Sequence, residues 1–218
     1  MTWIKICGTT NLEDALVAAQ AGADALGFIF AESPRRIAPE QAREIIAKLP
    51  AKIEKVGVFV NPSLEYVCQI AQQTGITRIQ LQGDEEEAFV RAVGESLPLL
   101  RLTKTIQANE HLRESLHALN GSIRMDSILL DSGSAAQRGG TGKVFDWQEA
   151  QGAITQSGLK LRLIIAGGLN PENVGAALKL FRPWGVDVVS GVESRLGKKD
   201  AGKIKNFVSA VRAAEEKT

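Results

Sequence analysis

Cysteine and histidine are scarce in this 218-residue chain, two of each, and tyrosine occurs once. Cys7 and Cys68 lie far apart and share no metal-type spacing, which excludes a disulfide framework and points to a reducing compartment. His111 and His117 fall on different faces of one helical segment with no neighbouring ligand set, so no metal site is expected. An excess of one charge is missing too: 26 Lys plus Arg stand against 25 Asp plus Glu, a net charge of +1, and no basic block occurs. Neutralising many phosphates needs a basic surplus or a segregated basic face, so nucleic acid is not an expected partner. The longest apolar stretches, such as Ala25 to Ala31, fall far short of the roughly 18 residues of a membrane span, and no membrane association is expected. Met1 leads directly into Trp3-Ile4-Lys5-Ile6-Cys7 with no basic-then-apolar leader, and the expected location is the cytoplasm.

What is present is an ordinary globular composition, 44% hydrophobic and 23% charged. The length falls where α/β barrels fold as one unit, roughly 200 to 250 residues. Short β-rich runs alternate with amphipathic segments along the whole chain. The strand candidates are 3–7, 25–30, 55–60, 78–82, 99–103, 127–131, 162–166 and 185–190. Between them apolar residues recur at helical spacing, as in Leu12, Ala15, Leu16, Ala19; Ala42, Ile45, Ile46, Leu49; and Leu64, Val67, Cys68, Ala71. Val174, Ala177, Leu178, Phe181 and Ile204, Phe207, Val208, Val211 repeat the pattern, which is looser over 84–96, 109–119 and 146–156. Asn61-Pro62, Asn170-Pro171 and Asp84 read as helix starts. Parallel strands need right-handed helical crossovers, so eight βα units close most naturally into a single (β/α)8 TIM barrel spanning 1–218. A doubly wound open sheet is the alternative, but its nucleotide fingerprint is missing. The glycines near 139–142 do not make a P-loop either, because Gln137 stands where Gly is needed and Val144 where Ser or Thr is needed.

Barrel side chains alternate between lumen and helix layer, and chemistry gathers at the C-terminal strand ends. With Ile4 and Ile6 facing the helices, Trp3, Lys5 and Cys7 turn inward. With Ile128 and Leu130 facing out, Asp131 ends its strand pointing in. A thiol and a carboxyl at separate strand ends can bracket a small substrate as proton acceptor and donor, although a buried structural thiol remains the competing reading of Cys7. Lys5, Gln80 and Arg101 share the lumen parity, and their buried charge needs a partner in Asp131 or Asp187. Gly167-Gly168 precede a helix start, and Ser190-Gly191 follow the eighth strand where a short extra helix could begin. Both are places where backbone N–H groups hold a phosphate, although ordinary tight turns would look the same. The Gly-, Ser- and Ala-rich connection from Ser132 to Lys143, with Gly139, Gly140 and Gly142, reads as a closing cover or as a plain solvated loop.

The motifs K-I-C-G at 5–8, T-N-L-E-D-A at 10–15, G-A-D-A-L-G-F-I-F at 22–30, S-P-R-R-I at 33–37, L-L-D-S at 129–132, G-G-T-G at 139–142, F-D-W at 145–147, A-G-G-L-N-P-E-N-V at 166–174 and D-V-V-S-G-V-E at 187–193 occur in one order. In that order the chain closely resembles the phosphoribosylanthranilate isomerase family of tryptophan biosynthesis. The resemblance implies an Amadori rearrangement of a phosphorylated small-molecule substrate without metal or organic cofactor, by a monomer or homodimer. By the same resemblance Cys7 is the general base and Asp131 the general acid, and Arg35 meets the anthranilate carboxylate. Gly139, Gly140, Gly167, Gly168, Asp187, Ser190 and Gly191 are the further candidate substrate-binding residues. Two positions depart from the family: Gln82 replaces a histidine common in a Q-L-H-G segment, and Arg36 replaces a frequent tyrosine. A histidine-pathway isomerase is the nearest enzymatic rival, but it ordinarily carries aspartate where Cys7 stands. A non-catalytic phosphosugar-binding module would keep the glycine loops without needing Cys7 and Asp131.

Overall fold

A computed structural model describes residues 1–118, 125–132 and 146–216. Eight parallel strands, β1 (Trp3–Cys7), β2 (Ala25–Ile29), β3 (Glu54–Phe59), β4 (Arg78–Leu81), β5 (Arg101–Gln107), β6 (Ser127–Asp131), β7 (Arg162–Ile165) and β8 (Gly185–Val188), pair in sequence order. The barrel closes where Lys5 of β1 lies beside Asp187 of β8. Helices α1 (Leu12–Ala21), α2 (Pro39–Ile46), α3 (Leu64–Thr74), α4 (Glu87–Ser96), α5 (Leu112–Ala118), α6 (Trp147–Ser157), α7 (Val174–Phe181) and α8 (Ala201–Glu215) form the crossovers. A short antiparallel pair, β9 (Glu193–Arg195) and β10 (Lys198–Lys199), precedes α8. This is the (β/α)8 barrel expected from the alternation.

Two apolar layers follow from the period of two along each strand. Ile4, Ile6, Leu26, Phe28, Ile128, Leu130 and Val186 join the helices in the outer layer, while Trp3, Cys7, Val56, Val58, Leu129 and Ile164 fill the lumen. The N-terminal end of the lumen is closed by a polar plug around Arg78. Its guanidinium is held by Glu54 at 3.0 Å and by Thr103 and Ser127, each at 3.0 Å, and lies 5.4 Å and 5.8 Å from the stacked rings of Trp3 and Trp184. Arg101 has the lumen parity but sits at the open lower rim, half-exposed, and pairs with Glu54 at 2.7 Å rather than with an inner aspartate. The arginine buried inside the lumen is therefore Arg78, although Arg101 shares its parity.

Three local expectations are corrected. The fifth strand begins at Arg101 and runs to Gln107, not over 99–103, because Thr103-Lys104-Thr105 carry no apolar signal while still filling ladder positions. Asn61 does not cap α3: Ser63 does, accepting from Tyr66 N at 3.1 Å, while Asn61 adopts φ +45° and its Oδ1 accepts from Asp84 N. Asp84 therefore latches two loops, and α4 starts after Glu86. Asn170 does accept from Glu172 N and Asn173 N, but one turn ahead of α7. The buried face of α3 runs through Val67, Ile70 and Thr74, which leaves Cys68 only half-buried.

Candidate active site

Cys7 ends β1 at the C-terminal rim, buried and with a free thiol. Room for it depends on Gly27 on the neighbouring strand. A Cβ there would stand 2.5 Å from Cys7 Sγ and 3.0 Å from Lys5 Cε, closer than atoms pack, so only glycine lets the thiol and the lysine lie side by side. Lys5, with its side chain 1% exposed, forms an ion pair with Asp187 at 3.0 Å. The approach is off hydrogen-bonding geometry, and Lys5 Nζ and Asp187 Oδ1 both stay buried without an aligned partner. Burial alone would lower the Lys5 ammonium, but Asp187 and Cys7 outweigh it, so Lys5 is held above its usual range and stays charged. Burial pushes the Cys7 thiol up, while the positive charges of Lys5 and Lys199 work against that rise.

Asp131 ends β6 inside the lumen, as parity requires. Its Oδ2 accepts from Gln82 Nε2 at 2.9 Å, and Gln82 Oε1 in turn accepts from Gln80 Nε2 at 2.6 Å and Thr105 Oγ1 at 2.8 Å. Cys7, Asp131, Asp187, Gln80, Gln82 and Arg35 line one cavity at the barrel mouth.

Arg35 reaches this cavity from the segment after β2, where Gly8 at φ +75° leaves room for its Cδ. Its Nε and Nη2 donate to the two carboxylate oxygens of Glu193, each at 2.8 Å. Lys199 donates to the same carboxylate at 3.2 Å and to Val189 O at 3.0 Å. All three side chains are buried. Burial by itself would raise the Glu193 carboxyl, but the Arg35 hydrogen bonds and the charge of Lys199 hold it below the usual carboxylate range. Burial lowers the Lys199 ammonium despite Glu193. Glu193 closes the D-V-V-S-G-V-E motif and Lys199 lies outside every motif, and the two become visible as partners of Arg35 only when the fold joins them.

The glycine loops meet at the same rim. Gly167 and Gly168 turn at φ +82° and +66°, and a Cβ on Gly167 would strike Ser132 beyond β6. Ser190–Val192 form a single 3-10 turn, and a Cβ on Gly191 would collide with Leu169 O, so the loops after β7 and β8 lie in direct contact. Gly139 and Gly140, with the proposed cover at 133–143, lie outside the described residues. Among the described residues no group of three or more His, Cys, Asp or Glu side chains could hold a metal ion, and no helix is long and apolar enough to cross a membrane.

This rim geometry agrees with a family model described as N-(5'-phosphoribosyl)anthranilate (PRA) isomerase, which matches residues 4–210. The chain belongs to the phosphoribosylanthranilate isomerase family. A relative in this family, the N-(5'-phosphoribosyl)anthranilate isomerase of Pelobacter propionicus, is 44% identical over 209 residues, 95% of this chain and 94% of its own. Among solved structures, the phosphoribosyl anthranilate isomerase from Thermotoga maritima is 38% identical with a TM-score of 0.86, over 98% of this chain and all of that one. A second family structure, in complex with reduced 1-(o-carboxyphenylamino)-1-deoxyribulose 5-phosphate, is 36% identical with a TM-score of 0.80 over the same share of each chain.

Proposed function

We propose that this chain catalyses the Amadori rearrangement of N-(5-phosphoribosyl)anthranilate to 1-(2-carboxyphenylamino)-1-deoxyribulose 5-phosphate in tryptophan biosynthesis, with Asp131 as general acid and Cys7 as general base. The observation that carries the assignment is the convergence of a buried thiol from β1 and a buried carboxyl from β6 on one cavity that also receives Arg35.

Asp131 gives its proton to the furanose ring oxygen, the C1–O bond breaks, and the nitrogen lone pair forms a protonated imine at C1. That cation acidifies the C2–H bond. Cys7 takes the C2 proton, the released electron pair forms C1=C2 and neutralises the imine, and the enolamine tautomerises to the ketone. The base is the Cys7 thiolate: burial makes it more basic, the fixed charge of Lys5 stabilises it before it takes the proton, and the adjacent iminium supplies most of the driving force. Glu193 occupies the Nε–Nη2 edge of Arg35 and so fixes the plane of the guanidinium, whose other edge, Nη1 with Nη2, offers a two-pronged contact suited to the anthranilate carboxylate. Backbone N–H groups around Gly167-Gly168 and Ser190-Gly191 receive the phosphate, with no lysine required. Asp187, paired with Lys5 beside the thiol, meets the sugar portion.

The test generates phosphoribosylanthranilate in situ and follows the loss of its anthranilate fluorescence. A decay proportional to protein concentration supports the assignment. A rate equal to the uncatalysed background, from protein that binds a product analogue, marks a phosphosugar-binding module instead.

A further inference from the structure

The network behind Asp131 carries one step more. Gln82 lies just past β4, with Gln80, Thr105 and Asp131 packed around its amide, and all four side chains are buried. A primary amide has an accepting end and a donating end, and both are engaged here. Two donors, Gln80 Nε2 at 2.6 Å and Thr105 Oγ1 at 2.8 Å, converge on Oε1. The donating end is turned to Asp131, 2.9 Å from Oδ2.

We propose that Gln82 is the positioning residue of the general acid: its amide nitrogen, bonded to Asp131 Oδ2, holds the carboxyl in the orientation from which it gives its proton to the sugar ring oxygen. This rests on the reading of Asp131 as the acid. A donor locked to Oδ2 holds the plane of the carboxyl, which an unrestrained carboxyl would lose by rotation. Glutamine performs this without titrating, whereas a histidine at this position offers an N–H of similar reach that changes its donor capacity with pH. Thr105 and Gln80 act one step further out, by anchoring the amide oxygen so that the amide stays in place beside the acid.

The test measures kcat and KM separately for Gln82→Met, Gln82→His and Thr105→Val, and repeats Gln82→Met in an Asp131→Asn background. Gln82→Met keeps the side chain's length but has no donor, and kcat is expected to fall about tenfold to a hundredfold, the effect of one hydrogen bond to a charged group, with KM within about twofold. Gln82→His is expected to recover most of that loss. In the Asp131→Asn background, Gln82→Met should cost nothing further, because its effect passes through the acid. Where Gln82→Met fails to fold, Thr105→Val carries the test, with an expected loss of about threefold in kcat and none in KM. The proposal is overturned if Gln82→Met retains kcat within about twofold, if its effect is on KM alone, or if its loss multiplies undiminished with that of Asp131→Asn. If Asp131→Asn itself turns over like the unaltered chain, the acid assignment fails, and the positioning role fails with it.

Discussion

Replacing Glu193 by glutamine tests the buried cluster that orders the rim. The change preserves shape but removes the one negative charge between Arg35 and Lys199, whose heads lie 2.8 Å and 3.2 Å from it and are both buried. Two like charges are then left facing each other out of water. Breaking a buried pair by removing one partner costs about 3 to 5 kcal/mol, which for a chain of this size is about 6 to 20 °C in Tm. The effect has a definite pH signature. The Glu193 carboxyl is held below its usual range, so the stability it contributes is fully present above the ordinary glutamate value of about 4.3 and is lost as pH falls through the depressed folded value. The deficit of Glu193→Gln should therefore be largest near pH 7 and close at low pH, where the unaltered chain has lost the same charge. Urea unfolding of both proteins across that range measures the difference directly, and taking the difference cancels the contributions of Asp14 and Glu215, whose carboxyls are also held low. A deficit under about 1 kcal/mol at pH 7, or one that does not change with pH, would refute the reasoning.

Gly27→Ala brings a Cβ within 2.5 Å of Cys7 Sγ and 3.1 Å of Cys7 Cα, and is expected to cost about 1 to 3 kcal/mol in stability and to lower kcat by moving the thiol, as read by denaturation and steady-state kinetics. Because burial holds the Cys7 thiol above its usual range, its alkylation by iodoacetamide should keep accelerating as pH increases from 7 to 9, and a rate that has already levelled off by pH 8 would contradict that placement of the thiol. Gly191→Ala drives a methyl into Leu169 O and separates the two loops assigned to the phosphate, so KM should rise about tenfold or more while kcat changes little. An unchanged KM would move the phosphate elsewhere.

The lumen was legible in the sequence because apolar residues alternate cleanly on the helix-facing side. Ile4 and Ile6 identify Cys7 as inward, and Ile128 and Leu130 do the same for Asp131. The fifth strand was harder to place, since Thr103 and Thr105 face the lumen and Lys104, buried on the other side, is held by Gly83 O and Glu85. Polar residues that satisfy one another across strands look like loop until their partners are known. The same reason hid Arg78, whose partners Glu54, Thr103 and Ser127 come from three other strands. Arg35 was visible as a candidate from its motif, but its hold on Glu193 spans 158 positions and leaves no local pattern. Gln82 stood out only as a departure from the family, and its contact with Asp131 explains what occupies the position.

The central claim is that Cys7 and Asp131 move the protons of one rearrangement. Its most direct test is turnover of phosphoribosylanthranilate by Cys7→Ala and Asp131→Asn, alongside product-analogue binding by the same proteins. The account predicts that each substitution lowers kcat by about a hundredfold or more while binding persists. Near-normal kcat in either protein would contradict it.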